Sequence, residues 1–190
     1  MARPKEFQVE EVLDRAIDAF WEHGYLGTSI NDITTRTGVQ KPSLYLTFGD
    51  KRALFLQALH KYQVDDAERM RAHFEQPGPV YPLIEEFLMS PLIEKVDGRG
   101  CLCVNVQVEL GAHDPEIRDL LVQHFEQVRA MLVTTLERGS RLGELKADLD
   151  CAAAADLMLT VMCGAFVKAP HGRCPERARA MLKLALEGLT

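Results

Sequence analysis

Apolar residues in this chain return at three- and four-residue steps along most of its length, and no stretch of useful length alternates apolar with polar. A spacing near 3.6 is the stripe of an amphipathic helix, whereas a half-buried strand needs period two, so the pattern predicts an all-α protein. Val9, Val12, Leu13, Ala16, Ile17, Ala19 and Phe20 make the first stripe, and Gly24 supplies its stop. Thr28 or Ser29 then caps a short helix over Ile30 to Thr37, closed by Gly38. Pro42 suits the first turn of the next helix, Lys41 to Phe48, and Gly49-Asp50 breaks the chain before Lys51 starts another. The link between the two short helices, Gly38-Val39-Gln40, has about the length a helix-turn-helix requires.

The later breaks are equally clear. A long helix from Lys51 to about Phe74 ends at Pro77-Gly78-Pro79, and Pro82 to Ile93 and Cys101 to Leu110 follow as shorter ones. Asp114-Pro115-Glu116 is a cap, a first-turn proline and an acid, opening a helix that reaches Ser140. Cys151 to Ala169 and Glu176 to Leu189 complete the chain. The expected organisation is an N-terminal helix-turn-helix, three-helix domain in residues 1–50 and a larger helical bundle for ligand binding and dimerisation in residues 51–190.

Composition narrows the function. With 190 residues, 47% hydrophobic and 26% charged, the chain is globular rather than disordered or fibrous. A net charge of −6 argues against a generally basic nucleic-acid binder but allows a local DNA-binding face. No apolar run is long enough for a bilayer and no signal peptide is visible, so the expected location is the cytoplasm, with the five cysteines as thiols. No nucleophile elbow, phosphate-binding glycine loop or zinc-protease motif is present, so no enzyme and no cofactor are expected.

On the third helix, Gln40, Lys41, Ser43, Tyr45 and Thr47 place hydrogen-bonding groups beside a cation, with Pro42 in the first turn. Such a face suits a major groove, where residues near the start of a recognition helix reach base edges. Thr28, Ser29 and Lys51 stand at helix starts, where hydroxyl, amide and ammonium groups would meet phosphates. The bland alternative is a three-helix core with no partner. The combination Gly24-Tyr25-Leu26-Gly27-Thr28-Ser29-Ile30-Asn31-Asp32-Ile33 with Gly38 through Phe55 strongly resembles the DNA-binding domain of TetR-family transcriptional regulators, over about residues 7–60. The resemblance implies a homodimer that reads a palindromic operator in double-stranded DNA, usually as a repressor released by a small effector. It implies a phosphate contact at Thr28, the recognition-helix tyrosine at Tyr45 and the lysine opening the fourth helix at Lys51. Leu46-Thr47 departs from the family's frequent Tyr-x-His-Phe pattern, which leaves no histidine to make a contact at position 47.

In the remainder, Ala155, Met158 and Met162 with Met181, Leu182 and Leu186 are expected to pair with the same helices of a second subunit in a four-helix bundle; the alternative is that they serve the protomer's own core. An effector pocket is expected among Tyr62, Met70, Phe74, Phe87, Phe125, Met158 and Met162, since aromatics with flexible methionines make adaptable cavities, although such spacing also describes ordinary core. Cys101, at a helix start beside Arg99, is the candidate reactive thiol, while Cys103, Cys151 and Cys163 read as inert core. Gly100-Cys101-Leu102 is similar to the sensing site of electrophile-responsive family members, which implies a partner lysine at Lys168. A metal-responsive repressor, using His113, His171, Cys174, Cys101 and Cys103, is a lesser alternative because no ligand spacing supports it, and no metal is expected. A DNA-binding regulator without any ligand is another.

Overall fold

Gly24 interrupts the first helix at φ 72° and ψ 173°, a conformation that side chains with a Cβ rarely adopt, so α1 (Val9–Gly27) bends there and resumes for one short turn. In this computed structural model the described residues are 7–93, 99–168 and 175–189, without the side chains of 90–93, 168 and 175–179. The helices that follow are α2 (Ile30–Thr37), α3 (Lys41–Phe48), α4 (Lys51–Phe74), α5 (Val80–Ile93), α6 (Leu102–Leu110), α7 (Pro115–Arg141), α8 (Cys151–Lys168) and α9 (Pro175–Glu187). Among the described residues there is no strand, as the missing period-two pattern predicts.

Gly24, predicted to stop α1, instead bends it, and the helix runs on to Gly27, whereas the boundaries predicted at Gly38 and Asp114 are the observed ones. Gly38 takes the left-handed conformation at φ 73° and its N–H donates to the carbonyl of Thr34, closing α2. Asp114 caps α7 by accepting from the Ile117 N–H at 3.2 Å. Cys101, expected as the first residue of α6, is instead its extended cap, at φ −99° and ψ 131°.

The chain divides into two compact units, Met1–Asp66 and Ala67–Thr190. In the first, α1 packs on α2 and α2 on α3. Their apolar stripes meet in a core that includes Phe20, Ile33, Leu44, Phe48, Leu54, Phe55 and Leu59. Phe55 lies edge-on to Phe20, with ring centroids 5.0 Å apart, and 4.7 Å from Tyr25. Burying seven such side chains favours the fold by roughly 10–20 kcal/mol of transfer free energy before chain entropy is counted. At the unit's edge Lys61 Nζ reaches Asp14 and Asp65, each at 2.7 Å, and both carboxylates raise the affinity of the ammonium for its proton.

In the second unit α7 is the central element, packing against α5, α6 and α8, while α9 packs on α5 and α8. Ile117, Leu121, Val128, Leu132 and Leu136 are its buried stripe. Gly139 continues that stripe where a Cβ would lie 2.7 Å from Leu145 Cδ1, so a larger residue would require Leu145 to move. Arg129 of α7 holds Asp156 of α8 through Nε at 2.6 Å and Nη2 at 3.1 Å. The backbone N–H of Lys146 donates to the carbonyl of Leu189 at 2.9 Å, which ties the end of the chain to the α7–α8 loop. No helix among the described residues is long and apolar enough to cross a membrane.

Candidate functional site

The eight residues of α3 and its N-cap, Gln40, divide by their positions around the helix. Leu44 and Phe48, four apart, are buried and hold it to the unit, while Gln40, Lys41, Pro42, Tyr45, Leu46 and Thr47 are exposed and Ser43 is half-buried. Of the residues expected on a groove-reading face, Gln40, Lys41, Pro42, Tyr45 and Thr47 are exposed and Ser43 is half-buried, while Leu46 is exposed without having been expected there. Lys41 Nζ lies 5.9 Å from the Tyr45 ring centre, so the cation and the phenol share one patch. Leu46, 90% exposed, is a large apolar side chain facing water with no core role.

The helix starts behave less simply. Thr28, expected at a phosphate, is only 1% exposed; its hydroxyl donates to the carbonyl of Gly24 at 2.6 Å and faces that of Ala19 at 3.2 Å. The side chain is therefore turned into α1, where it supports the bend at Gly24. Ser29 is exposed and forms a capping box: its Oγ accepts from the Asp32 N–H at 3.2 Å, and its own N–H donates to Asp32 Oδ2 at 2.7 Å. Those bonds hold the Asp32 carboxyl below its ordinary pKa. The Ser29 hydroxyl retains its proton for an acceptor outside the helix. Lys51, half-buried, lies with Nζ 4.3 Å from the Tyr25 ring centre, and Asp50 caps α4 by accepting from the Ala53 N–H at 2.8 Å. A lysine steered by an aromatic face at a helix start can present its ammonium to an anion with little loss of rotamer freedom.

Met70, Phe74, Met158 and Met162 fall into one buried cluster of the second unit, and Phe87 and Phe125 pack against it partly buried. The Phe74 and Phe87 rings meet at a tilt of 53° with their centroids 4.8 Å apart. Tyr62, expected with them, is instead in the first unit, edge-on to Trp21 at 5.2 Å. Ala155, Met158, Met162, Leu182 and Leu186, expected at a subunit interface, are all buried in the protomer's own cluster, and Met181 is half-buried. The five buried side chains pack within the protomer, and only Met181 of the expected set keeps part of its surface exposed. The faces that α8 and α9 leave open carry Ala153, Leu157, Thr160, Gly164 and Val167 on one helix and Ala180 and Leu184 on the other. A Cβ at Gly164 would touch nothing within 4 Å, so the space beside it is open.

Cys101 is half-buried against the same cluster, and its carbonyl accepts from the Asn105 N–H at 2.9 Å. Gly100 before it has φ 69°, and a Cβ there would lie 3.0 Å from the Phe166 carbonyl, so the cap is pressed against α8. Cys163 of α8 feels Cys101 electrostatically; burial first, and that thiol second, push its pKa up to about 11. Cys103 is fully buried and Cys151 half-buried. The side chain of Lys168, and His171 and Cys174, lie outside the described residues. Among the described residues no group of three or more His, Cys, Asp or Glu could hold a metal ion.

A short recognition-type helix held by two buried side chains, with a polar and aromatic outer face and a helical companion unit, defines a helix-turn-helix transcriptional regulator. Residues 12–58 match the model of the bacterial regulatory proteins of the tetR family, and residues 83–184 match a tetracyclin repressor-like C-terminal domain. The chain belongs to the TetR family of transcriptional regulators. It is 34% identical over 159 residues to the HTH-type transcriptional regulator YezE of Bacillus subtilis (strain 168), covering 82% of each chain. It is 27% identical to the HTH-type transcriptional repressor BdcR of Escherichia coli (strain K12), over 98% of this chain and 91% of that one. A solved structure of the TetR-family regulator CifR, a cysteine mutant complexed with 26-bp double-strand operator DNA, superposes with a TM-score of 0.86 at 28% identity over all of both chains.

Proposed function

We propose that the protein is a repressor that binds a palindromic operator as a homodimer and is released by a small molecule acting on its second unit. The observation that carries this reading is the outer face of α3: Gln40, Lys41, Tyr45 and Thr47 project from a helix fixed by Leu44 and Phe48, so the face is presented without supporting the core. Ser29 and Lys51 supply phosphate contacts from the starts of α2 and α4. Thr28 acts indirectly, by holding the α1 bend that places Ser29. The repressor named BdcR and the operator-bound CifR structure support the same role.

The open faces of α8 and α9 around Leu157, Gly164 and Leu184 form the subunit interface, because their apolar and small side chains let helices approach closely. Release comes through the methionine and phenylalanine cluster or through the Cys101 thiol. The α4 helix runs from Lys51, the proposed phosphate ligand, to Phe74 of that cluster, and release is proposed to act through it. Half-site spacing on DNA is fixed, and a small change in the separation of two recognition helices lowers affinity.

The test is a gel-shift titration on the DNA flanking the protein's own gene, before and after N-ethylmaleimide, with Cys101→Ser as control. Loss of binding in the parent but not in the variant establishes the thiol as a trigger. Binding that ignores the reagent places release on reversible ligands alone, and absence of sequence-selective binding in either state defeats the repressor assignment.

A further inference from the structure

Arg138 lies near the end of α7, directly before the crowded Gly139. Its Nε and Nη2 are buried and have no hydrogen-bond partner among the described residues. A guanidinium keeps its charge at every accessible pH, so it cannot relieve such burial by losing a proton, and buried donors of this kind are rarely left unsatisfied. One and two turns earlier on the same side of α7, Thr135 directs its hydroxyl to the Met131 carbonyl at 2.8 Å, and Met131 packs against the apolar cluster. The Thr135 oxygen keeps lone pairs that could accept, but neither Nε nor Nη2 of Arg138 bonds to it. Glu144, in the loop that follows, accepts from the backbone N–H of Val80.

The pair of nitrogens gives the site its chemistry. Nε and Nη2 form the edge of a guanidinium from which two N–H bonds point in parallel, and this protein uses that same edge of Arg129 to hold both oxygens of Asp156. We propose that Arg138 is the docking point for the carboxylate of a small amphipathic acid, whose apolar body lies against the methionine and phenylalanine cluster of the second unit. The proposal rests on the reading that this unit holds an effector, and gives that effector a chemical class. One cation balances a monoanion, whereas a buried phosphate dianion would need further donors beside the fork. The planar fork favours two coplanar oxygens over a point charge, which lysine could have met equally well.

The test uses the full-length protein and two substitutions, Arg138→Met and Arg138→Lys, with octanoate and benzoate as probes, 1-octanol and benzyl alcohol as their neutral counterparts, and inorganic phosphate as the competing anion. Without ligand, Arg138→Met should melt at least about 2 °C above the parent, because it removes an unsatisfied buried cation and keeps the stem. Calorimetric titration of the parent should give one acid a dissociation constant at least about tenfold lower than that of its alcohol, a preference that Arg138→Met abolishes and Arg138→Lys only partly restores. The proposal is overturned if Arg138→Met melts below the parent, which would mean that a carboxylate of the assembled dimer already fills the fork. It is equally overturned if neither acid outbinds its alcohol, if the preference survives in Arg138→Met, or if phosphate binds as tightly as the acids. Operator binding by parent and Arg138→Met without any acid is measured in parallel. Its loss in the parent tells against the repressor reading, while the acid preference decides the Arg138 site by itself.

Discussion

Tyr45 is 42% exposed and Leu44 beside it only 1%, so two neighbouring residues of α3 should respond to truncation in opposite ways. Tyr45→Ala should leave stability within about 0.5 kcal/mol of the parent, because the side chain lies outside the buried core. It should weaken operator binding by about 1–3 kcal/mol, the usual worth of a good contact in the groove. A thermal melt and a gel-shift titration on the same preparation separate the two, and unchanged operator affinity would remove Tyr45 from the interface. Thr28→Val is the converse case. It keeps the shape but removes the hydroxyl from Gly24 and Ala19, leaving their carbonyls to α1 alone, and should cost about 1–2 kcal/mol of stability. The thiols divide in the same manner. With its pKa pushed up to about 11, Cys163 is almost wholly protonated at neutral pH. Its thiolate fraction, and with it the alkylation rate, should rise about tenfold for each pH unit below that value. Mass-spectrometric labelling with N-ethylmaleimide between pH 7 and 9 measures this, and a flat rate would show that Cys163 is not held in the protonated form.

At the scale of elements, most helix limits were legible because caps and stops act over four residues: Ser29 and Asp32, Gly38, Asp114 and Pro115 each leave a local mark that neighbouring helices do not override. The face that each helix buries was legible only where polar residues mark the other side, as on α3 and α7. α8 is apolar or small almost all round, Cys151 through Lys168 with Asp156 as its one internal charge, so the sequence does not show which side meets the protomer and which a partner. The expected interface residues fell on the inner side for that reason. Tyr62 was misplaced by a related ambiguity, since α4 runs through the boundary between two units and its periodicity does not mark where one core ends. Arg138 left no sequence signal at all; only the packing around α7 shows its nitrogens buried. The proposed interface predicts that Leu157→Glu combined with Leu184→Glu yields a folded monomer in sedimentation equilibrium at micromolar concentration, because both side chains are exposed in the protomer. Met158→Ala should instead lower stability by about 2–4 kcal/mol while the dimer persists, as expected of a buried core position. A dimer that survives the double glutamate variant would place the interface elsewhere.

For the molecule as a whole, the sequence has a net charge of −6, so bulk charge repels DNA and attraction must come from a few placed cations. That makes the salt dependence of operator binding unusually informative. Each phosphate neutralised by lysine releases counterions, and the logarithm of the affinity falls with the logarithm of salt concentration by about 0.9 per contact. In a symmetric dimer Lys51 occurs twice, at the start of each α4, so Lys51→Ala should flatten the slope by about 1.8. A monomer on a single half-site would lose about 0.9, and a Lys51 that only packs on Tyr25 would change stability without altering the slope. Fluorescence-anisotropy titrations at four or five salt concentrations, for parent and variant, distinguish these three cases. The same titrations carried out with a releasing ligand fix the coupling between the units. If the ligand weakens operator affinity by some factor, operator-bound protein must bind the ligand weaker by that same factor, since both are legs of one thermodynamic cycle. A ligand that binds free and operator-bound protein equally well has no leverage on the operator, and its finding would require release to proceed by covalent change at Cys101 instead.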